Sequence, residues 1–267
     1  MINHPYNFTE LHQQEDILLL PNTWDTLSAV ILEQAGFKAI GTTSWGMANA
    51  KGYTDGENIR FQDVFCSVNE MVNTVKIPVG VDIESGFSTH VRGIVDNVLQ
   101  LADIGVAGIN IEDSLKGVSK LRDVKEHCQN LEKIRHALDM RGYSQFFINA
   151  RTDTYLQQGG SKTDTIARAK AYVNSGVNGI FVPGISDEDD IRQLVQTVNI
   201  PVNVMSLPSL TDVSRLHSLG VKRFSLGNSL SDAAIAYIEK QANALRSTLS
   251  SSHLYLATPP VTQFITQ

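Results

Sequence analysis

The chain has little cysteine: Cys66 and Cys128 are its only two in 267 residues, and they form no Cys-x-x-Cys pair. That excludes a disulfide framework and a cysteine-based structural zinc site. Cys66 falls in an apolar helical stretch, Phe61 to Val75, and reads as core packing, while Cys128 reads as an incidental thiol. There is no cluster of lysine and arginine either. Its 22 basic against 28 acidic side chains leave a net charge of −6, which argues against a protein built to grip nucleic acid or an anionic membrane. No apolar run approaches the roughly 18 to 20 residues a membrane helix needs, and Met1 to Glu15 shows no charged-then-apolar leader. A soluble, cytoplasmic protein is therefore expected, with small molecules or copies of itself as partners. Phosphate loops of the GxGxxG or GxxxxGK[ST] kind are absent too, removing the usual nucleotide-binding reason for an open α/β sheet. What remains is an ordinary globular composition, 42% hydrophobic.

Four times a helical pattern ends in glycine and a hydrophobic residue, and an apolar run begins soon after: Gly36-Phe37, Gly105-Val106, Gly176-Val177 and Gly220-Val221. Glycine at that point suits a left-handed helix C-terminus. A βα unit takes roughly 30 to 40 residues, so the first two gaps each hold two units. Lys76-Ile77-Pro78-Val79 and Asn199-Ile200-Pro201-Val202 lead into β-branched runs, and a strand tolerates proline at its entrance. The pattern predicts eight strands, near 17–20, 39–44, 78–84, 108–112, 146–152, 179–183, 201–205 and 223–227. Helical patterns lie between them, as in Val91, Ile94, Val95, Val98 and Ala102. Eight alternating units predict an α/β fold of the (β/α)8 TIM-barrel type, with a doubly wound open sheet as the alternative. The whole chain, 1–267, reads as a single barrel domain, with its core at about 15–230 and a C-terminal helix and tail at 231–267.

Residues two apart on a strand share a face. Val79, Val81 and Ile83 then point outward and Gly80, Asp82 and Glu84 inward. Likewise Asn110 and Glu112, Asn149 and Arg151, and Asn203 point inward. Polar groups thus gather at strand C-termini, where barrels of this kind place their active sites. Asp82, Glu84 and Glu112 would converge, and such hard oxygen ligands suit Mg²⁺ or Mn²⁺ with retained waters. Arg151 on the next strand is placed to pair with a substrate carboxylate or phosphate. The other reading of these residues is a buried ion-pair network of Arg151 with Glu112 or Glu84 and no ligand.

The segments Asp82-Ile83-Glu84-Ser85-Gly86-Phe87, Gly105 to Asp113 and Ile148-Asn149-Ala150-Arg151-Thr152-Asp153 resemble the isocitrate lyase and phosphoenolpyruvate mutase superfamily. Thr43-Ser44-Trp45-Gly46-Met47 and Gly52-Tyr53-Thr54-Asp55 extend the resemblance, which covers roughly residues 10 to 240. It implies a Mg²⁺-dependent barrel enzyme that makes or breaks C–C or P–C bonds beside a 2-oxo acid through an enolate. By the same resemblance Asp82 would hold the metal directly and Glu84 and Glu112 through water. Arg151 would bind a substrate carboxylate, backbone amides of Ser44, Trp45, Gly46 and Met47 would cradle the 2-oxo acid, and Asp55 would lie near the metal-side network. Trp45 would stack on substrate or pack the barrel mouth, Tyr53 matches a family position, and Asn203 would be a ligand or a satisfied core amide. A homo-oligomer, dimer or tetramer, with exchanged C-terminal helices is also implied.

Departures from the family pattern narrow the chemistry. The Lys-Lys-Cys-Gly-His loop of the isocitrate and methylisocitrate lyases is replaced by Ser114-Leu115-Lys116-Gly117-Val118-Ser119-Lys120-Leu121. The mutase pattern is missing as well, with Ser114 standing where its first lysine would be. His127-Cys128 reads as a helix-start pair, and Lys116 or Lys120 as a lid residue or an exposed lysine. Strand six ends Phe181-Val182-Pro183-Gly184 without the lyase glutamate, so a substrate smaller than a tricarboxylate is expected. The leading expectation is a lyase or hydrolase of a small 2-oxo or 2-hydroxy di-acid. Alternatives are phosphoenolpyruvate mutase or phosphonopyruvate hydrolase chemistry, and an inert metabolite-binding barrel.

Overall fold

The computed structural model describes residues 6–157 and 161–255. Its strands are β1 (Leu18–Leu20), β2 (Asn22–Thr23), β3 (Ile40–Thr42), β4 (Val79–Asp82), β5 (Gly108–Glu112), β6 (Ser114–Leu115), β7 (Lys120–Leu121), β8 (Phe147–Arg151), β9 (Gly179–Phe181), β10 (Val202–Met205) and β11 (Arg223–Ser225). Nine of them form one parallel sheet in the order β1-β11-β10-β9-β8-β5-β4-β3-β2. Its two edge strands, β1 and β2, are separated in the chain by Pro21 alone, so the sheet curls nearly closed into a barrel. Proline has no N–H for the ladder and interrupts the strand there, yet its carbonyl still accepts from Gly41 N–H at 2.9 Å. The expected first strand is thus two short pieces. β6 and β7 pair separately as a small antiparallel hairpin.

Between the strands lie α2 (Thr26–Gln34), α4 (Phe61–Thr74), α5 (Val91–Asp103), α6 (Val124–Met140), α7 (Lys162–Val173), α8 (Glu188–Val198) and α9 (Val213–Ser218). The glycines of the recurring phrase, Gly36, Gly105, Gly176 and Gly220, all have φ between 80° and 94°, the left-handed geometry that a helix end needs. Val79, Val81, Ile109, Ile111, Ile148, Ala150, Val202 and Val204 face the helices and share one core with Ile94, Val98, Leu131, Ile134 and Leu194. A short α1 (Phe8–Leu11) lays Phe8 and Leu11 inside the barrel against Leu18, Leu20, Ala39 and Phe147. There Gly80 leaves room for the Phe8 ring, which a Cβ would approach to 3.2 Å. His12 stacks on Phe147 at 4.0 Å and donates through Nδ1 to Phe8 O at 2.7 Å. The barrel is filled from below, which leaves its other mouth for the site.

After β11 comes α10 (Ser229–Thr248), on which Ser231 is the one buried residue, followed by a 3-10 turn at Ser252–Tyr255. The expected tail beyond Tyr255 lies outside the described residues. No described helix is long and apolar enough to cross a membrane. Cys66 is exposed, contrary to expectation. It lies on the solvent side of α4, whose buried side is Val64, Ser67, Val68, Met71 and Val72.

Candidate active site

A cavity of about 140 Å³ opens at the strand C-termini, walled by Thr42, Thr43, Ser44, Trp45, Asp55, Asp82, Asn110, Arg151, Phe181, Ser225 and Asn228 among others. Each barrel strand from β3 onward ends at or beside this wall, so the register of the sheet positions the polar groups. Asp82 is paired with Asn110, and Glu112 with Arg151.

Arg151 is the hub. Its guanidinium lies 3.3 Å from Asp82 Oδ2, 3.0 Å from Glu112 Oε2 and 2.6 Å from Asp153 Oδ1, with Phe181 beneath it at 5.7 Å. Burial opposes its charge, but Glu112, Asp153 and Asp82 outweigh that and hold it well above the ordinary arginine value. Behind this wall Lys116 donates to Glu112 Oε1 at 2.7 Å and Glu84 Oε2 at 2.8 Å. Glu112 is pushed upward by burial, against the pull of Arg151, and Glu84 upward by burial, against the pull of Lys116. Lys116, expected as a lid residue or an exposed lysine, is a partner of two of the three acids. The hairpin of β6 and β7 carries it there.

Alternation places Glu84 at the end of the third expected strand, 78–84, but β4 stops at Asp82. Glu84 has φ 50°, a left-handed conformation that costs a residue with a side chain roughly 1–3 kcal/mol. Four contacts hold it. Its N–H donates to Asp82 Oδ1 at 2.9 Å, its carbonyl accepts from Glu112 N–H at 2.8 Å, and its carboxylate accepts from Glu57 N–H and Lys116. Glu57 answers by accepting from Ser85 N–H, Ser85 Oγ and Phe87 N–H at 2.7–3.0 Å. The two loops after β3 and β4 are thereby stapled to each other through two glutamates. Glu57 and Asp153 were missed from the sequence, although each lies two residues from a singled-out position.

The other expected residues divide. Ser44, Trp45, Asp55, Asp82 and Arg151 reach the cavity. Gly46 and Met47 do not: they are buried in α3 (Ser44–Ala50), where Thr43 Oγ1 and Thr43 O take their N–H groups. A Cβ on Gly46 would sit 2.8 Å from Trp24, so that glycine serves packing. The usable part of the expected cradle is the first two residues of the helix. Trp45 packs at the mouth, donating through Nε1 to Asp232 at 2.9 Å. Tyr53 is exposed and absent from the wall. Asn203 is buried, and its amide is committed to Val204 O, Arg223 O, Ser225 Oγ and Asn149, which makes it a satisfied core amide rather than a ligand. His127 is buried on α6, whose N-cap is Asp123, in agreement with the helix-start reading.

For a metal, Asp82, Glu84 and Glu112 do not face one point; no group of three or more His, Cys, Asp or Glu among the described residues is arranged to hold an ion. The charge count nevertheless suits one. Four carboxylates, Asp82, Glu84, Glu112 and Asp153, share two ion-pair partners, Arg151 and Lys116, and a bound cation would favour the charged forms of the two that burial pushes upward. Asp82 is the acid of that network on the cavity wall, and Mg²⁺ is commonly bound through one or two carboxylates plus water. The residues fit a single direct ligand with outer acids behind it.

The profile of the phosphoenolpyruvate phosphomutase family matches residues 8–246. The chain belongs to that family. An uncharacterized protein of Mycobacterium tuberculosis is 38% identical over 223 residues, covering 83% of this chain and 82% of that protein. A 2-methylisocitrate lyase of Shewanella oneidensis is 29% identical over 175 residues, 64% of this chain and 59% of that enzyme. Among solved structures, 2,3-dimethylmalate lyase, a member of the PEP mutase/isocitrate lyase superfamily, superposes with a TM-score of 0.83 at 22% identity, covering 93% of this chain and 89% of that one. That likeness bears on the barrel alone.

Proposed function

We propose that this family member is a Mg²⁺-dependent lyase or hydrolase that cleaves a C–C bond beside the carbonyl or carbinol of a small 2-oxo or 2-hydroxy di-acid through an enolate. The observation that carries the proposal is Arg151, a fixed guanidinium on the wall of a small cavity, next to Asp82 and held by three carboxylates. Its Nε and Nη2 already serve Asp153, and Nη1 faces Asp82 and Glu112, so it offers a substrate carboxylate its charge and the remaining Nη2–H with little ordering left to do. Ser44 and Trp45 at the start of α3, with Asn228 opposite, offer polar contacts to the rest of a small acid. The bound metal would rest on Asp82, with Glu84 and Glu112 behind it, and would supply Lewis-acid stabilisation of negative charge on the substrate oxygen. Trp45 and Phe181 limit water around the reacting atoms, which strengthens every charge interaction in the site.

The cavity volume supports a di-acid over a tricarboxylate. Exposed Ile235, Ile238 and Leu245 on α10, with Leu249 at its C-terminal cap, support a homo-oligomer assembled through that helix. The reaction is tested by measuring pyruvate, oxalate and CO2 release from oxaloacetate, 2-alkylmalates, methylisocitrate, isocitrate and phosphonopyruvate, with Mg²⁺ and then with EDTA. Turnover of a di-acid that EDTA abolishes is expected. Turnover of phosphonopyruvate alone would replace this reading with P–C chemistry.

A further inference from the structure

The floor of the cavity holds a row of amides whose direction is fixed at both ends. At one end Arg223 on β11 is 3% exposed and donates to Asn110 Oδ1 at 3.1 Å. A guanidinium can only donate, so the amide oxygen of Asn110 must face it. At the other end Asn203 Nδ2 donates to the carbonyls of Val204 and Arg223, which turns Asn203 Oδ1 toward Asn149, 3.1 Å away. Asn149 Nδ2 then donates both there and to Asn110 Oδ1, at 2.9 Å. The oxygen of Asn110 is therefore taken by two donors pointing up from the barrel interior. Its NH2 group has no protein partner among the described residues, and Asn110 lines the cavity beside its register neighbour Asp82.

Arg223 itself forms no ion pair among the described residues, and its Nε has no partner. Burial lowers it to about 9 against the pull of Asp82. Leaving a guanidinium unneutralised inside a barrel is costly, and a purely structural contact to one amide would not need the charge.

We propose that Asn110 is a catalytic residue of this site, whose Nδ2–H donates to the substrate oxygen that becomes the enolate oxygen, and that Arg223 is its positioning residue. The inference rests on the enolate reading above. A donor already aimed at the atom where charge develops stabilises it without reorganising, and a positive charge on the amide oxygen makes the N–H a stronger donor. Asn110 neither gains nor loses a proton in this role. The substrate hydrogen-bonds to a fixed neutral amide from below while Arg151 holds a carboxylate from the side.

The test is calorimetric titration with oxalate, a planar dianion with the O–C–C–O outline of an enolate, in saturating Mg²⁺. Wild type is compared with Asn110→Ser, Asn110→Asp, Arg223→Lys and Arg223→Met, with melting temperatures taken alongside. Asn110→Asp keeps an acceptor for both Arg223 and Asn149, so its fold is retained even where the serine variant is weakened. At least tenfold weaker oxalate binding is expected in both Asn110 variants. Arg223→Met should weaken it severalfold and Arg223→Lys should restore most of it, a rescue that a packing role would not give. Wild-type affinity in both Asn110 variants overturns this inference and leaves the enolate reading intact. A wild-type protein that binds neither oxalate nor pyruvate overturns the enolate reading and this inference with it.

Discussion

Lys116 Nζ lies 2.7 Å from Glu112 Oε1, four residues back along the chain, and the same ammonium reaches Glu84 at 2.8 Å. One lysine thus sits between two buried acids that the proposed metal would also neutralise. In Lys116→Met these acids lose their partner, and removing one side of a buried pair costs about 3–5 kcal/mol. Urea unfolding in EDTA should show a loss of that size. In saturating Mg²⁺ the loss should shrink, because the ion shares the uncovered charge. An equal loss in both conditions would show that no metal binds beside these acids.

Arg151→Lys should raise KM by at least tenfold on the substrate that the panel reveals. A lysine keeps the charge but cannot hold Asp153 through two parallel N–H groups and still reach Asp82, Glu112 and a substrate carboxylate, and a tenfold change corresponds to about 1.4 kcal/mol. The melting temperature separates this from unfolding, since Arg151 also holds Asp82, Glu112 and Asp153. An unaltered KM would remove Arg151 from substrate binding.

Much of the barrel was legible because its period is two. Outward Val79, Val81, Ile109 and Ile111 and inward Asp82, Asn110 and Glu112 follow from alternation alone, and β3 to β11 of the main sheet fall within the expected spans. What failed were the places where the strand rule stops applying. Glu84 follows the end of β4 and owes its position to a left-handed turn and to Glu57, contacts from a loop 27 residues earlier. Lys116 rides on a hairpin whose turn has no regular period. Arg223 was within an expected strand, but a positive charge inside a barrel is intelligible only once the amides above it are seen. Asn203 pointed inward as expected, yet whether an inward amide is satisfied is a matter of its neighbours, Asn149 and Ser225.

Two buried histidines set an acid limit to stability. Burial is the main cause that lowers both His12 and His127 to about 3, and Arg223 and Arg122 respectively add to it. The folded value is below the unfolded 6.5, so between those values the unfolded chain binds more protons. Stability contributed by each neutral ring is present above pH 6.5 and is lost as pH falls. At about 1.4 kcal/mol per unit, each ring should remove about 2 kcal/mol between pH 6.5 and pH 5. His127→Phe, in a pocket beside Tyr172 where neither ring nitrogen has a partner, should cancel its own share. The stability difference between wild type and variant, followed by urea titration from pH 7.5 to 5, should move by that amount in favour of the variant; a constant difference would show that His127 does not remain neutral.

On α10, Ile235, Ile238, Ala242 and Leu245 repeat at spacings of three, four and three, and Leu249, the residue that caps the helix, follows four further on. That spacing draws one apolar seam along a helix, and here it faces solvent: Ile238 is 65% and Leu249 88% exposed. A contiguous apolar stripe of this kind marks an association surface, and the copy of the same helix in a second subunit is the complement that closed symmetry supplies. Ile235→Asp with Ile238→Asp puts two charges into the seam without touching the barrel core, since Ser231 is the helix's buried residue. Light scattering should report a dimer or tetramer for wild type and a monomer for the double variant, with far-ultraviolet circular dichroism unchanged. A wild-type monomer, or a variant that keeps the wild-type mass, would remove α10 from assembly.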